Sequence, residues 1–209
     1  MSARDHYTWT LRIGAITRQL QDIGMHVEVG TDFARYRRIR APQAETRPIY
    51  PMFDIGSTFV DETNGFWIIG TDAEGKLVHT QAFRLLPLGN STLREHLRVH
   101  NQKYVTPGMV EDADATRFDA HRGLDEIRGR VCYQGEFWLA GGLHGFRGGG
   151  AVALLSRLGM ELAAQTWNPD YVFAFICANH ALNGTPLRHC YYNTAPGAWS
   201  SGEGVRFSE

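Results

Sequence analysis

Cysteine is scarce in this chain, and what there is comes unpaired. Cys132, Cys177 and Cys190 are odd in number and share no CxxC spacing. Neither a disulfide framework nor a cysteine zinc site is expected. Net charge is equally sparse. Twenty-one basic residues stand against 22 acidic ones, leaving −1, so no global field favours nucleic acid or an anionic membrane. Long apolar runs are missing too. The longest, Tyr171 to Ala178, has the length of a buried strand and is far too short to span a bilayer. The polar segment Met1 to Tyr7 has no apolar signal region, so a cytoplasmic location is the expectation. There is no internal repeat. The 209 residues, 43% of them hydrophobic, suit one large domain over 1–209.

Periodicity sorts what is there. Ile13, Ile16, Leu20 and Ile23 predict an amphipathic helix over 11–24, stopped at Gly24. His26 to Val29 alternates as a short strand. Thr31 or Asp32 caps a second helix that carries Arg35, Arg37, Arg38 and Arg40. Pro42, Pro48 and Pro51 make 41–51 a loop. Residues 66–71 predict a strand, Asp72 to Gly75 a hairpin turn, and Lys76 to Leu86 the returning strand. Asn90, Ser91 and Thr92 offer caps for a helix from Leu93 to about Tyr104. The acidic stretch 106–130 reads as a mobile excursion. Val131 to Leu143 is the next strand. Leu155, Leu158 and Leu162 mark a helix ending near Trp167. Gly159 within it costs about 1 kcal/mol against alanine, which points to close packing there. Tyr171 to Ala178 reads as a buried strand, Thr185 to His189 as a short helix, and 191–207 as a final strand pair. The class is α/β with a mixed α+β sheet rather than a doubly wound one.

Residues 146–155 carry most of the functional information. Arg147 is followed by Gly148, Gly149 and Gly150, which open into a helix-period segment, and the aromatic run Glu136 to Leu139 precedes them. Strand, glycine loop and helix together turn free backbone N–H groups and a helix's positive end toward an anion. Glycine allows close approach and positive φ. The lysine followed by Ser or Thr of a P-loop is missing, and so is the third glycine of G-x-G-x-x-G, since residue 153 is alanine. Nucleoside triphosphates and dinucleotides lose weight accordingly. A ligand-free tight turn is the simpler alternative, but three glycines after an arginine exceed what such a turn needs.

This order of elements resembles the GNAT superfamily of N-acyltransferases over about residues 65–195, the acyl-coenzyme A-binding core. The family motif, Gln/Arg-x-x-Gly-x-Gly/Ala, matches at Arg147 to Val152 with Gly150 in fourth place and valine in the last. A one-residue shift puts Phe146 first and brings Gly149 and Ala151 into register. The resemblance implies a GNAT-like fold with a splayed central sheet. It implies that Arg147, Gly148, Gly149, Gly150, Ala151 and Val152 hold the pyrophosphate of acetyl-coenzyme A or another acyl-coenzyme A. It makes Gly142 and Leu143, after Gly141, an exposed strand edge for the pantetheine amides, and gives Asn179 a place at the end of the fifth strand. A bulge and a turn residue are the simpler readings of these last features.

The resemblance further implies a carboxylate base at Glu136, its pKa raised by desolvation beside Phe137 and Trp138. The family's usual acid, a tyrosine, would fall near Pro186 or Leu187, so Tyr191 is taken as its substitute, with Tyr192 or His189 as alternatives and buried sheet tyrosines as the simpler reading. The expected reaction is N-acetyl or acyl transfer to a primary amine of a small molecule or a protein. That acceptor would meet the N-terminal helical region, about 1–60, and the 106–130 excursion.

Other motifs lead less far. His96 and His100 lack a third ligand, and residue 97 is leucine where a zincin needs glutamate. Asp112, Asp114 and Thr116 begin like a calcium loop, but Arg117 and Gly123 stand where glycine and glutamate are required. No metal is expected. The arginines of the second helix are spread around it and read as solvated. Phe83 to Pro87, followed by Asp114 to Phe118, is similar to two segments of the acyl-homoserine-lactone synthases, which share the GNAT-like fold and use acyl carrier protein. Such a synthase, or a non-catalytic acyl-coenzyme A-binding module, is the alternative. Neither nucleic acid nor membrane is an expected partner, and Trp199 offers an aromatic surface for a homodimer.

Overall fold

The local signals become elements in the computed structural model, which describes residues 2–105, 117–141, 145–146, 150–200 and 206–207. Helix α1 (Ala3–Asp22) begins well before its first periodic isoleucine. Ser2 and Asp5 cap it reciprocally, the Ser2 hydroxyl accepting from the Asp5 N–H and the Asp5 carboxylate from the Ser2 N–H. Gly24, at φ 83°, turns the chain out. Strand β1 (His26–Gly30) leads to α2 (Phe33–Arg40), capped by Asp32 on the Arg35 N–H. A 3-10 turn, Ala41–Gln43, opens the proline-bearing loop. Strands β2 (Gly65–Thr71) and β3 (Leu77–Gly89) form the expected hairpin, with Asp72 accepting from the Glu74 and Lys76 N–H groups. Thr92 caps α3 (Leu93–His100), and a 3-10 turn continues it to Lys103.

The 106–130 stretch differs from expectation where it is described. Residues 117–120 form β4 (Arg117–Ala120) and Arg122–Asp125 a 3-10 turn. Strand β5 (Gly129–Leu139) starts before Val131 and stops short of Leu143. Helix α4 (Ala151–Trp167), β6 (Tyr171–Phe173), α5 (Ala178–Leu182), α6 (Thr185–Arg188), β7 (Gly197–Ser200) and β8 (Arg206–Phe207) complete the chain. The buried strand expected to run to Ala178 is therefore only three residues long. Its pairing with the strand before α4 stops at Tyr133↔Phe173 although that strand runs on to Leu139, and a strand needs a partner to persist. Asn179 lies on α5 and is exposed, instead of ending a strand.

The larger sheet runs β1-β2-β3-β5-β6, antiparallel as far as β5. Strand β6 is parallel to β5, with α4 as the crossover between them. A smaller antiparallel sheet joins β4, β7 and β8. The fold is thus mixed α/β. Alternation along β2 divides the core. Phe66 and Ile68 belong to the layer under α1 and α4, with Leu20, Phe83, Leu155 and Leu158. Trp67 and Ile69 belong to the layer under α2 and α3, with Tyr36, Phe53, Tyr104 and Tyr133. Among the described residues no helix is long and apolar enough to cross a membrane.

Gly159 explains itself at this core. A Cβ there would lie 2.2 Å from the Phe83 ring, so α4 reaches β3 only because the side chain is absent. Gly14, on exposed α1, has nothing within 4 Å of its Cβ position. Two opposite outcomes follow for one substitution. Gly159→Ala is expected to cost about 1–3 kcal/mol by overpacking, despite the gain in helix propensity. Gly14→Ala is expected to stabilise by about 0.5–1 kcal/mol. Urea midpoints of the two variants check both.

Candidate functional site

The site begins with a bulge. In the β3–β5 ladder, Thr80 faces Trp138 while Ala82 faces Gly135, so β5 carries an extra residue. Glu136 sits there at φ 59°, a left-handed conformation that costs a non-glycine residue energy. Its surroundings offset that cost. The Thr80 hydroxyl donates to the Glu136 carbonyl at 2.9 Å. Arg40 and the Tyr36 hydroxyl both donate to Oε2, and the Tyr50 N–H donates to Oε1 at 2.8 Å. The Arg40 and Glu136 side chains are each 1% exposed. The second Arg40 nitrogen donates to the Arg47 carbonyl at 2.7 Å. Burial, reinforced by the Glu136 charge, holds the Tyr36 phenol well above its ordinary pKa. Both Glu136 oxygens are thus engaged by donors.

Beside the bulge the sheet opens. Strands β5 and β6 pair from Val131↔Tyr171 to Tyr133↔Phe173. Beyond that point residues 134–137 and 174–177 line a cleft of about 280 Å³, with Arg47 and Tyr50 on one rim and His189 and Tyr191 on another. Arg47 stacks on Trp138, its guanidinium 4.7 Å from the ring centroid. His189 packs edge-on against Phe137 at 4.3 Å, and its Nδ1 lies 3.0 Å from the Ser156 hydroxyl of α4. Burial, with Arg188 adding to it, lowers the His189 imidazole to about 4, so it is neutral at physiological pH. The Tyr191 hydroxyl donates to Gln134 Oε1 at 2.7 Å. Burial raises its pKa, so it stays protonated. Cys190 between them adopts φ 64°, the turn that lets neighbouring residues face one cleft.

The residues singled out from sequence divide three ways. Glu136 and Tyr191 meet in this cleft. Gly150 caps α4 at φ 78°, and Ala151 and Val152 open the helix, Ala151 buried and Val152 half-buried. Gly142, Leu143, Arg147, Gly148 and Gly149 lie outside the described residues, as do Asp112 and Asp114. Asn179 is exposed on α5 and is absent from the cleft lining. Gln134, Arg47 and Ser156 were missed, because no local pattern marks a residue whose partner lies on another strand or helix.

A second, more open cleft of about 370 Å³ is lined by Thr63, Asn64, Arg84 and His96. Two of its polar side chains are largely committed elsewhere. Arg84 donates to the Met52 and Phe59 carbonyls, and His96 Nε2 lies 2.7 Å from the Tyr104 hydroxyl. The smaller cleft holds more groups able to move a proton. No protein-family model matches the chain, and no curated protein sequence is similar to it.

Two outcomes test this geometry. Arg40→Met is expected to cost about 3–5 kcal/mol, because it strands a buried carboxylate; adding Glu136→Gln should recover part of that loss in urea unfolding. The second concerns pH. Desolvation by burial lowers His79 to about 3 and is the leading cause that brings His96 and His189 each to about 4. The unfolded chain takes up these protons near pH 6.5, the native chain only near 3–4. Stability is therefore intact above 6.5 and is lost as pH falls toward 4. The fully buried His79 alone contributes a slope of roughly 1.4 kcal/mol per pH unit in that window. His79→Gln should flatten the acid limb of a Tm-against-pH curve by one proton.

Proposed function

We propose that this chain is an acyltransferase of GNAT-like architecture, moving an acetyl or other acyl group from coenzyme A to a primary amine. The observation that carries the reading is the parting of β5 and β6 after Tyr133↔Phe173, beside the helix that follows the glycine loop. Parted strands expose unpaired backbone groups. An amide-rich pantetheine arm can pair with them as a strand would. The N-terminus of α4 and its three glycines suit a pyrophosphate. In this reading Arg147 to Val152 hold that group, and Gly142 and Leu143 border the arm.

The chemistry asks little of the protein. An amine nitrogen attacks the thioester carbonyl carbon, the C–S bond breaks, the ammonium proton leaves, and the thiolate gains one. A half-buried neutral His189 can receive a proton on its unprotonated ring nitrogen and return it to sulfur. Glu136, held on both oxygens, fits an anchor for the cleft rim better than a free base. That assigns proton transfer to His189. The same engagement of Glu136 motivates a second reading, a module that binds acyl-coenzyme A without turning it over.

Acetyl-coenzyme A at 100 times its Kd is expected to add about 2.7 kcal/mol of stability, read as a thermal shift. Replacing Gly149 and Gly150 with bulky residues should abolish that shift. His189→Ala should leave binding intact and slow amine-dependent thiol release by about 10²- to 10⁴-fold. The absence of any shift at millimolar ligand rejects the reading. Binding without thiol release across a broad amine panel selects the non-catalytic module.

A further inference from the structure

Three side chains, two of them buried, connect α4 to the cleft. Gln81 Nε2 donates to the Leu155 carbonyl at 2.8 Å, Gln134 Nε2 to Gln81 Oε1 at 2.9 Å, and the Tyr191 hydroxyl to Gln134 Oε1 at 2.7 Å. Gln81 and Gln134 are buried. An amide side chain can normally be turned over, exchanging donor for acceptor. Here one end forbids it. A helix carbonyl is only an acceptor, so Gln81 must present its NH₂ to Leu155 and its oxygen to Gln134. Gln134 must then present its NH₂ to Gln81 and its oxygen to Tyr191. Reversing any member sets two oxygens face to face in the core, which burial penalises. The tyrosine hydroxyl has one proton, and the chain takes it.

We infer that Tyr191 serves the cleft as a fixed hydrogen-bond acceptor, its oxygen lone pair receiving an N–H of the bound substrate, and not as the proton donor. The Leu155 carbonyl sets this polarity through Gln81 and Gln134, neither of which need touch the reacting atoms. The substrate class is an N–H donor: an amide of the pantetheine arm or the attacking amine itself. The inference rests on the acyl-coenzyme A reading for its ligand, though the polarity of the chain does not. It makes Gln81 and Gln134 positioning residues, places Tyr191 against the substrate, and leaves proton transfer to His189.

The test compares wild type, Tyr191→Phe and Gln81→Met with two ligands. One is acetyl-coenzyme A; the other is its analogue with an ester oxygen in place of the amide N–H nearest the thioester. If the pantetheine amide is the donor, Tyr191→Phe weakens acetyl-coenzyme A binding about tenfold and leaves analogue binding unchanged. If the amine is the donor, both ligands bind as before, and the amine KM rises about tenfold with kcat retained. Gln81→Met frees Gln134 to turn over, so it should reproduce the same selective loss from outside the cleft. Equal loss on both ligands with an unchanged amine KM overturns the proposal. So does a fall in kcat that removes the alkaline limb of the pH–rate profile, the mark of an acid. A ligand-free measurement separates the two readings. The tyrosine Raman doublet, taken as wild type minus Tyr191→Phe, should show a hydroxyl that donates its proton. A non-donating signature overturns the polarity. If wild type binds neither ligand, the acyl-coenzyme A reading falls and takes the assigned substrate with it, whatever the doublet shows.

Discussion

The buried pair of Arg40 and Glu136 is the constraint on which the rest of the cleft depends. Removing two opposite charges from water costs several kcal/mol each, and only close, well-bonded geometry repays it. Here the bonds come from three segments, and only Arg40 Nε among the polar side-chain atoms of the pair is left without a partner among the described residues. Arg40 ends α2, Tyr36 lies one turn before it, the Tyr50 N–H and the Arg47 carbonyl belong to the following loop, and Glu136 sits on the β5 bulge. No one of these segments can move without stranding a charge. The pair thereby fixes a helix and a long loop against the middle of the sheet.

The bulge and the parting of the strands belong together. A bulge bends its strand and increases the local twist, and β6 loses register with β5 just before the bulged residue. The aromatic layer underneath keeps the gap from closing. Tyr133 stacks on Phe53 at 5.5 Å, meets Tyr104 edge-on at 4.9 Å and contacts Phe173 at 5.1 Å. These rings fill the base of the wedge where the strands are still paired. The open end is left to polar backbone and to the side chains from the turn after α6.

The sequence showed the elements well where the signal was local. The caps at Asp32 and Thr92, the hairpin at Asp72, and the helix after Gly150 all rest on contacts a few residues apart. The capping box at Ser2 is equally local, but it stands well ahead of Ile13, where the apolar periodicity begins. Failures fell where the partner is remote. Strand β4 exists because Phe118 lies opposite Trp199, and the short β6 ends because β5 turns away from it. The site followed the same rule. Glu136 was legible as a carboxylate among aromatics, but the guanidinium that answers it is 96 residues away in sequence. Gln81 and Gln134 gave no sign at all, because an amide in a strand acquires meaning only from what it meets.

The balance of charge in the cleft bears on how an amine would react there. Arg40 answers Glu136, while His189 is neutral and Tyr191 protonated. Arg47 is the cation on the rim. Burial, with Arg40 nearby, brings its pKa down to about 10, which still leaves it charged at neutral pH. An ammonium entering such a site meets no free carboxylate among the described lining residues, loses hydration and faces a positive charge. All three effects lower its pKa. In the proposed reaction the cleft itself thus helps convert the unreactive ammonium into the nucleophilic amine. The base then has less to do, and a histidine weakened by burial is strong enough to do it.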